Sequence, residues 1–462
     1  MAINNQTGDG TTLLDRTLGR LLEAWREIAG AERRPLAGTL APDLPESDLA
    51  RLRAAMEHCL EGRGGEVSAR QRAADLGRAY LALDATGRRR FLHLLASAFD
   101  ADRAAVDAAV KALGGAKDDN ARRPIEATLR AALVPRRIAL LTQFNALPEG
   151  IKFLVNLRAE LRGFVNGDPA LAAFELDLRQ LLAGWFDVGF LDLRRITWQA
   201  PALLLEKLIA YEAVHEIRSW ADLKNRLDSD RRCFAFFHPR MPDEPLIFVE
   251  VALVKGMADD IQALLDEGAP ANDPRAADSA IFYSISNAQK GLVGISFGNF
   301  LIKRVVDELN QEFPKLATFA TLSPMPGFRP WLEQLLGRGG DDLIGADEAK
   351  GLAGFSDREF PPDAASIAGP RQTLLRLGAH YLLESHNGGR VRDPVAHFHL
   401  TNGARVERLN WLADSSSKGL RESAGMMVNY LYKPNEIERN HESYSGEGKV
   451  AASSRVRRLL KG

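Results

Sequence analysis

The sequence predicts an α+β fold, with an all-helical bundle first and an α/β domain built on one central sheet after it. Three observations carry this expectation. Before about residue 195 the chain is rich in Ala, Leu and Arg, which are good helix formers. Apolar positions there recur at helical spacing, as in Tyr80-Leu-Ala-Leu83 followed by Phe91-Leu92, Leu94-Leu95 and Phe99. From Ile196-Thr-Trp198 onward, short runs rich in Phe, Ile and Val alternate with helical patterns. The expected domains are therefore residues 1–192 and 193–462.

In the first domain, Gly and Pro break the pattern at Gly114-Gly115, Pro135, Pro148-Glu-Gly150 and Gly167-Asp-Pro169. That punctuation divides it into roughly seven to nine helices. The first ten residues are expected to be disordered. The Arg runs Arg88–Arg90, Arg122-Arg123 and Arg136-Arg137 have acids interleaved nearby and read as solvated helix faces rather than phosphate sites. In the second domain, strands are expected at Cys233–His238, Leu246–Leu253, Ala280–Ser286 and Leu316–Leu322. Helices are expected at Met257–Asp266, Phe300–Phe313, Arg329–Leu336 and Arg371–Leu383. The stretch Gly337–Gly369, rich in Gly, Asp and Pro, reads as an excursion.

Composition excludes several classes. With 45% hydrophobic and 26% charged residues, the 462-residue chain is of ordinary globular type. Lys plus Arg number 60 against 61 for Asp plus Glu, a net charge of −1, which makes no case for a nucleic-acid or anionic-membrane partner. Two cysteines, Cys59 and Cys233, supply neither a disulfide framework nor a CxxC zinc site, and fit a reducing cytoplasm. No uncharged run approaches a membrane span, and the first residues lack a secretory signal.

Three features can carry chemistry. The first is the strand Ala280–Ser286 followed by Gly291-Leu-Val-Gly294-Ile-Ser-Phe-Gly298-Asn299 and an amphipathic helix. Such a unit presents backbone N–H groups and a positive helix end to a phosphate, with Asn299 a candidate cap. It is neither a Walker loop nor a dinucleotide fingerprint, and an ordinary turn remains the bland alternative. The second is Thr321-Leu-Ser323-Pro-Met-Pro326-Gly327, which sets a hydroxyl at the end of a hydrophobic strand without the elbow of a hydrolase. A turn or capping serine is the plain alternative. The third is Asp393-Pro-Val-Ala-His397-Phe-His399-Leu-Thr-Asn402-Gly403. As a strand it would put His397 and His399 on one face. Zinc would then lack a third ligand, so a general acid or base is the livelier reading. The other histidines have no partner in sequence.

At these features the sequence resembles the malonyl-CoA decarboxylases. The matching stretches are Glu149-Gly-Ile-Lys-Phe-Leu-Val-Asn-Leu-Arg158, Trp185-Phe-Asp-Val-Gly-Phe190, Ile196-Thr-Trp198, Glu212-Ala-Val-His215 and Glu244-Pro-Leu246. The most specific is the block from Ile281 to Gly327-Phe328. It resumes at Pro394–Gly403, Asn410-Trp411, Ala413-Asp414 and Asn429-Tyr430, while the tail after Lys433 matches poorly. The resemblance implies a helical domain engaged in dimer or tetramer contacts, then a catalytic domain with an acetyltransferase-like (GNAT) mixed sheet. It implies that Val293, Gly294, Ile295, Ser296, Phe297, Gly298 and Asn299 cradle the acyl-CoA pyrophosphate. It also implies a site pair, Ser323 as proton acceptor and His399 as proton donor, both touching substrate. Animal members carry Asn at the position of His397 and end in a peroxisomal tripeptide that this sequence lacks.

The implied reaction turns malonyl-CoA into acetyl-CoA and CO₂. The thioester carbonyl absorbs the released electron pair as an enolate, so no metal or organic cofactor is expected. An acyltransferase on the same fold and an acyl-CoA-binding scaffold are the alternatives. The scaffold has no need of a Ser–His pair.

Overall fold

The computed structural model describes residues 19, 21–26, 28, 36–61, 65–295, 301–356 and 369–461. The expected disorder of the first ten residues lies outside these. Eight helices run between Glu46 and Trp185: α1 (Glu46–Leu60), α2 (Gly65–Ala82), α3 (Ala85–Ala98), α4 (Arg103–Gly114), α5 (Asp119–Ala132), α6 (Arg137–Asn145), α7 (Gly150–Phe164) and α8 (Pro169–Trp185). Aspartates open four of them. Asp84, Asp102, Asp118 and Asp168 each accept from first-turn amides, satisfying donors that a helix start leaves bare. The arginine runs are not simply solvated. Arg88 bonds Glu160 at 2.8 Å, and the buried Arg137 lies between Asp100 and Asp177 at 2.9 and 2.6 Å.

The second part begins with β1 (Asp192–Ile196), α9 (Ala202–Tyr211) and α10 (Trp220–Arg226). The long hairpin β2 (Arg231–His238) and β3 (Met241–Val254) follows, then β4 (Ser279–Asn287) and α11 (Leu301–Glu312). After β5 (Thr318–Thr321) and β6 (Ser323–Pro324) come α12 (Phe328–Gly337), α13 (Arg371–Leu383) and α14 (Pro394–Thr401). The strands β7 (Arg405–Asn410) and β8 (Met427–Tyr432) precede α15 (Ile437–Glu447). The sheet order is β1-β2-β3-β4-β5-β8-β6, with β7 on β8. All neighbours are antiparallel except β4 and β5, which makes this the mixed-sheet domain the resemblance implies.

That one parallel pair positions the site. It runs only from Ser279 opposite Thr318 to Phe282 opposite Thr321. At Tyr283 an extra residue enters β4, because Glu250 faces Ser284 while Val251 faces Phe282. From there β4 continues to Asn287 without a strand partner on that side among the described residues, while the segment after β5 turns along β8 as β6. The sheet therefore opens between two parallel strands. Phe282, Phe319, Val428, Tyr430 and Tyr432 line one face and share a single apolar core with helices α1–α3 and α6–α8. Ile281, Tyr283, Ala320, Leu322 and Met427 line the other face, against Ile261 and Leu264.

Three expectations need correction. Pro394–Thr401 is a helix, not a strand: Asp393 caps it through Val395 and Ala396, and Pro394 takes its first turn. His397 and His399 therefore point about 200° apart around the axis instead of sharing a face. The helix expected over Met257–Asp266 shrinks to Ile261–Leu264. The excursion Gly337–Gly369 contains a short helix, Ala346–Gly351, and buries Ile344, Leu352 and Phe355; residues 357–368 are outside those described. Among the described residues, no helix is long and apolar enough to cross a membrane.

Candidate active site

Ser323 sits where β5 gives way to β6, paired with Val428 of β8. Thr321 lies two residues earlier, so strand alternation puts its hydroxyl on the same face, 2.9 Å from Ser323 Oγ. The Thr321 oxygen also accepts the Tyr430 amide at 3.1 Å. His399 comes down on this face from α14, its Nε2 3.1 Å from Ser323 Oγ. Its Nδ1 is 2.8 Å from the Tyr432 hydroxyl, and its ring stacks on Tyr430 with centroids 4.5 Å apart.

One buried carboxylate joins the two halves. Asp393 Oδ1 accepts from the amides of Val395 and Ala396, at 3.0 and 2.9 Å, and starts the helix that carries His399. Its Oδ2 accepts from the Tyr381 hydroxyl at 3.1 Å and from the Gly327 amide at 3.4 Å, in the turn after Ser323. Gly327 has no room for a side chain, since a Cβ would lie 2.3 Å from the Tyr381 oxygen. Burial raises the Asp393 carboxyl above the usual range, opposed by these donors.

The electrostatics favour neutral groups. His399 is 2% exposed, and burial alone pushes its pKa down to about 3, so the resting imidazole is uncharged at neutral pH. Burial pushes the Tyr432 phenol well above its ordinary value, which keeps its proton on. Hydroxyls can give or take, so the series Tyr432–His399–Ser323–Thr321 can relay a proton in either direction.

A cleft of about 880 Å³ opens along the outer side of α14, lined by His397 and Phe398, while Thr321, Ser323, His399 and Tyr432 are buried behind its lining. Asn287, Gly294, Ile295 and Leu301 form its wall on the β4 side, and Pro394, His397, Phe398 and Asn402 form the α14 side. His397 faces the cleft and bonds the Tyr444 hydroxyl of α15 at 2.8 Å, while His399 lies beneath, against the sheet. The Asn402 amide oxygen is buried with no hydrogen-bond partner among the described residues. Of the glycine-rich loop, Gly294 has φ +78°, which a side chain would oppose, and Val293 is exposed. Ser296, Phe297, Gly298 and Asn299 lie outside the described residues.

The structure thus brings Ser323 and His399 into direct contact and sets Gly294 and Ile295 across the cleft from α14. It separates His397 from His399, and among the described residues no three His, Cys, Asp or Glu side chains gather as metal ligands. Sequence reasoning missed Thr321, Asp393, Tyr430 and Tyr432. The Asp-Pro pair was a legible helix start. The two tyrosines, two apart in an apolar run, signal one face of a strand.

Comparison with known proteins gives the family. The malonyl-CoA decarboxylase C-terminal domain matches residues 189–462, and the N-terminal domain of the same family matches residues 99–186. The mitochondrial malonyl-CoA decarboxylase of Mus musculus is 40% identical over 360 residues, 72% of this chain and 73% of its own. That of Anser anser anser is 37% identical over 423 residues, 84% of this chain and 83% of its own. The crystal structure of malonyl-CoA decarboxylase from Rhodopseudomonas palustris superposes with a TM-score of 0.84 at 43% identity, covering 89% of this chain and 99% of that one. The chain belongs to the malonyl-CoA decarboxylase family.

Proposed function

We propose that this decarboxylase binds malonyl-CoA in the cleft, with the CoA phosphates on the loop Val293–Asn299 and the malonyl head beside Ser323 and His399. The observation that carries the reading is the buried Tyr432–His399–Ser323 series at the mouth of the divided strands. Breaking the bond from the α-carbon to the carboxylate releases CO₂ and leaves its electron pair on the thioester as an enolate. The Ser323 hydroxyl anchors the departing carboxylate or takes a hydrogen bond from the ring. His399 donates a proton to the α-carbon, and Tyr432 holds its far nitrogen.

A neutral imidazole is a poor proton donor, and the substrate itself corrects this. A malonyl carboxylate brought against His399 in a dry site raises its affinity for a proton. The ring then takes a proton from solvent as substrate binds and holds it for the carbanion that forms as CO₂ leaves. The thioester is the only electron sink this chemistry needs. With malonyl-CoA in D₂O, CO₂ and acetyl-CoA should appear in equal amounts, with one deuterium per acetyl group, and chelators should leave the rate unchanged. A rate lost on chelation and restored by zinc would overturn the cofactor-free mechanism.

The helical part is proposed to supply subunit contacts. Helix α5 buries no residue and α4 only Ala109, while Val110, Leu133 and Val134 are 53%, 52% and 54% exposed. Exposed apolar side chains on an otherwise charged hairpin suit a second copy of the chain. The pair Val110→Asp and Leu133→Asp should lower the mass in light scattering while leaving the melting temperature unchanged. An unaltered mass would move the contact elsewhere.

A further inference from the structure

The glycine-rich loop is held from behind by the helical domain. Arg158 of α7 is buried, and its Nη1 donates to the Gly291 carbonyl at 2.5 Å. Its Nε and Nη2 are bound at 3.0 and 2.7 Å by Glu175 of α8, which fixes the guanidinium plane. One turn further on, Arg162 Nη1 donates to the Lys290 carbonyl at 3.2 Å. Near the start of the same helix, the buried Lys152 donates to Gln289 Oε1 at 2.8 Å. Gln289 in turn donates to the Pro245 carbonyl at 2.9 Å. Three successive residues, 289–291, are therefore gripped by one helix face.

The backbones also touch. A Cβ on Gly291 would lie 1.8 Å from the Val155 carbonyl oxygen and 2.6 Å from its carbon. The first glycine of the loop is therefore required by its close approach to α7. Gly294, with its positive φ and open surroundings, is the glycine whose freedom serves the turn.

We infer that α7 is a clasp for the CoA loop and that Arg158 is its positioning residue. A loop that binds phosphate through backbone N–H groups works only if the peptide planes already point at the anion. Residues 289–291, held by α7, are the base of the turn that leads to the cleft wall. The Leu292 N–H donates to the Gln289 carbonyl at 3.0 Å, and the Ile295 N–H to the Leu292 carbonyl at 3.0 Å. The clasp fixes where Gly294 and Ile295 stand. The helical domain thereby contributes to substrate affinity without touching substrate. This rests on the loop being the phosphate cradle proposed above.

The test compares malonyl-CoA with malonyl-pantetheine, which carries the same thioester but no nucleotide phosphates. Arg158→Ala in the full chain should raise KM for malonyl-CoA about tenfold or more, the loss of a charge-assisted hydrogen bond, with kcat within about twofold. Its kcat/KM for malonyl-pantetheine should be unchanged, and Arg158→Lys should recover most of the affinity. Equal losses on both esters, or none on either, would overturn the clasp. If Arg158→Ala fails to fold, Glu175→Gln, which loosens the guanidinium, should shift malonyl-CoA alone by a smaller factor. A wild-type enzyme that treats the two esters alike would instead overturn the loop assignment, and the clasp with it.

Discussion

Replacing His399 with Asn should lower kcat on the order of 10²-fold or more, while His397→Asn should cost less than about tenfold. The two residues are neighbours in sequence with opposite surroundings. His399 is enclosed between Ser323, Tyr432 and the Tyr430 ring, and it presents Nε2 to the site. An amide there keeps a hydrogen bond but has no proton to give at neutral pH. His397 is half-buried at the cleft wall, and the bond its ring makes, to the Tyr444 hydroxyl, is within an amide's competence. Steady-state kinetics on variants with matched melting curves checks this. An inactive His397→Asn beside an active His399→Asn would reverse the assignment.

The same variant has a second readout with a determined sign. His399 has a pKa of about 3 in the folded protein, and a histidine in the unfolded chain has one near 6.5. Between those values the unfolded chain holds a proton that the native state excludes. Stability from this residue is therefore complete above about pH 6.5 and declines as pH falls toward 3, by about 1.4 kcal/mol per pH unit. Urea unfolding at pH 7.5 and 5.5 should show a shallower loss for His399→Asn than for wild type. Equal slopes would mean that the ring is not held neutral.

How much of this was legible beforehand depends on range. Elements with strong local patterns were read nearly to the residue, as with Arg371–Leu383 and the strand around Ala280–Ser286. Pro394–Thr401 was misread because two histidines flanking a Phe suggest a period of two, although the Asp-Pro cap argued for a helix. The strand Met427–Tyr432 went unnamed because its partners, Thr318–Thr321 and Arg405–Asn410, are remote or weakly patterned. Ser323 and His399 lie 76 residues apart, and Arg158 and Gly291 lie 133 apart. No local spacing rule joins such pairs. Resemblance pointed to the first pair, and only the fold exposes the second. Gly291 shows the limit well: in sequence it belongs to a phosphate loop, in space to the surface of a helix.

Ser323→Ala should also reduce kcat by about 10²-fold, with KM for malonyl-CoA changed only a few-fold. The substitution removes the one group that touches both His399 Nε2 and Thr321 Oγ1, and leaves those two atoms facing a gap. A methyl group there can neither hold the carboxylate nor orient the ring, while the CoA moiety is bound elsewhere. Ser323→Thr keeps the hydroxyl on a strand that tolerates β-branching, so it should stay within about tenfold of wild type. The double variant Ser323→Ala, His399→Asn tests whether the two act as a unit. If they do, it should be little slower than His399→Asn alone, because removing one member already disables the other. Losses that multiply would mean the serine and the histidine serve separate steps. A fully active Ser323→Ala would leave the serine as a strand-end hydrogen bond and place the carboxylate anchor on another side chain.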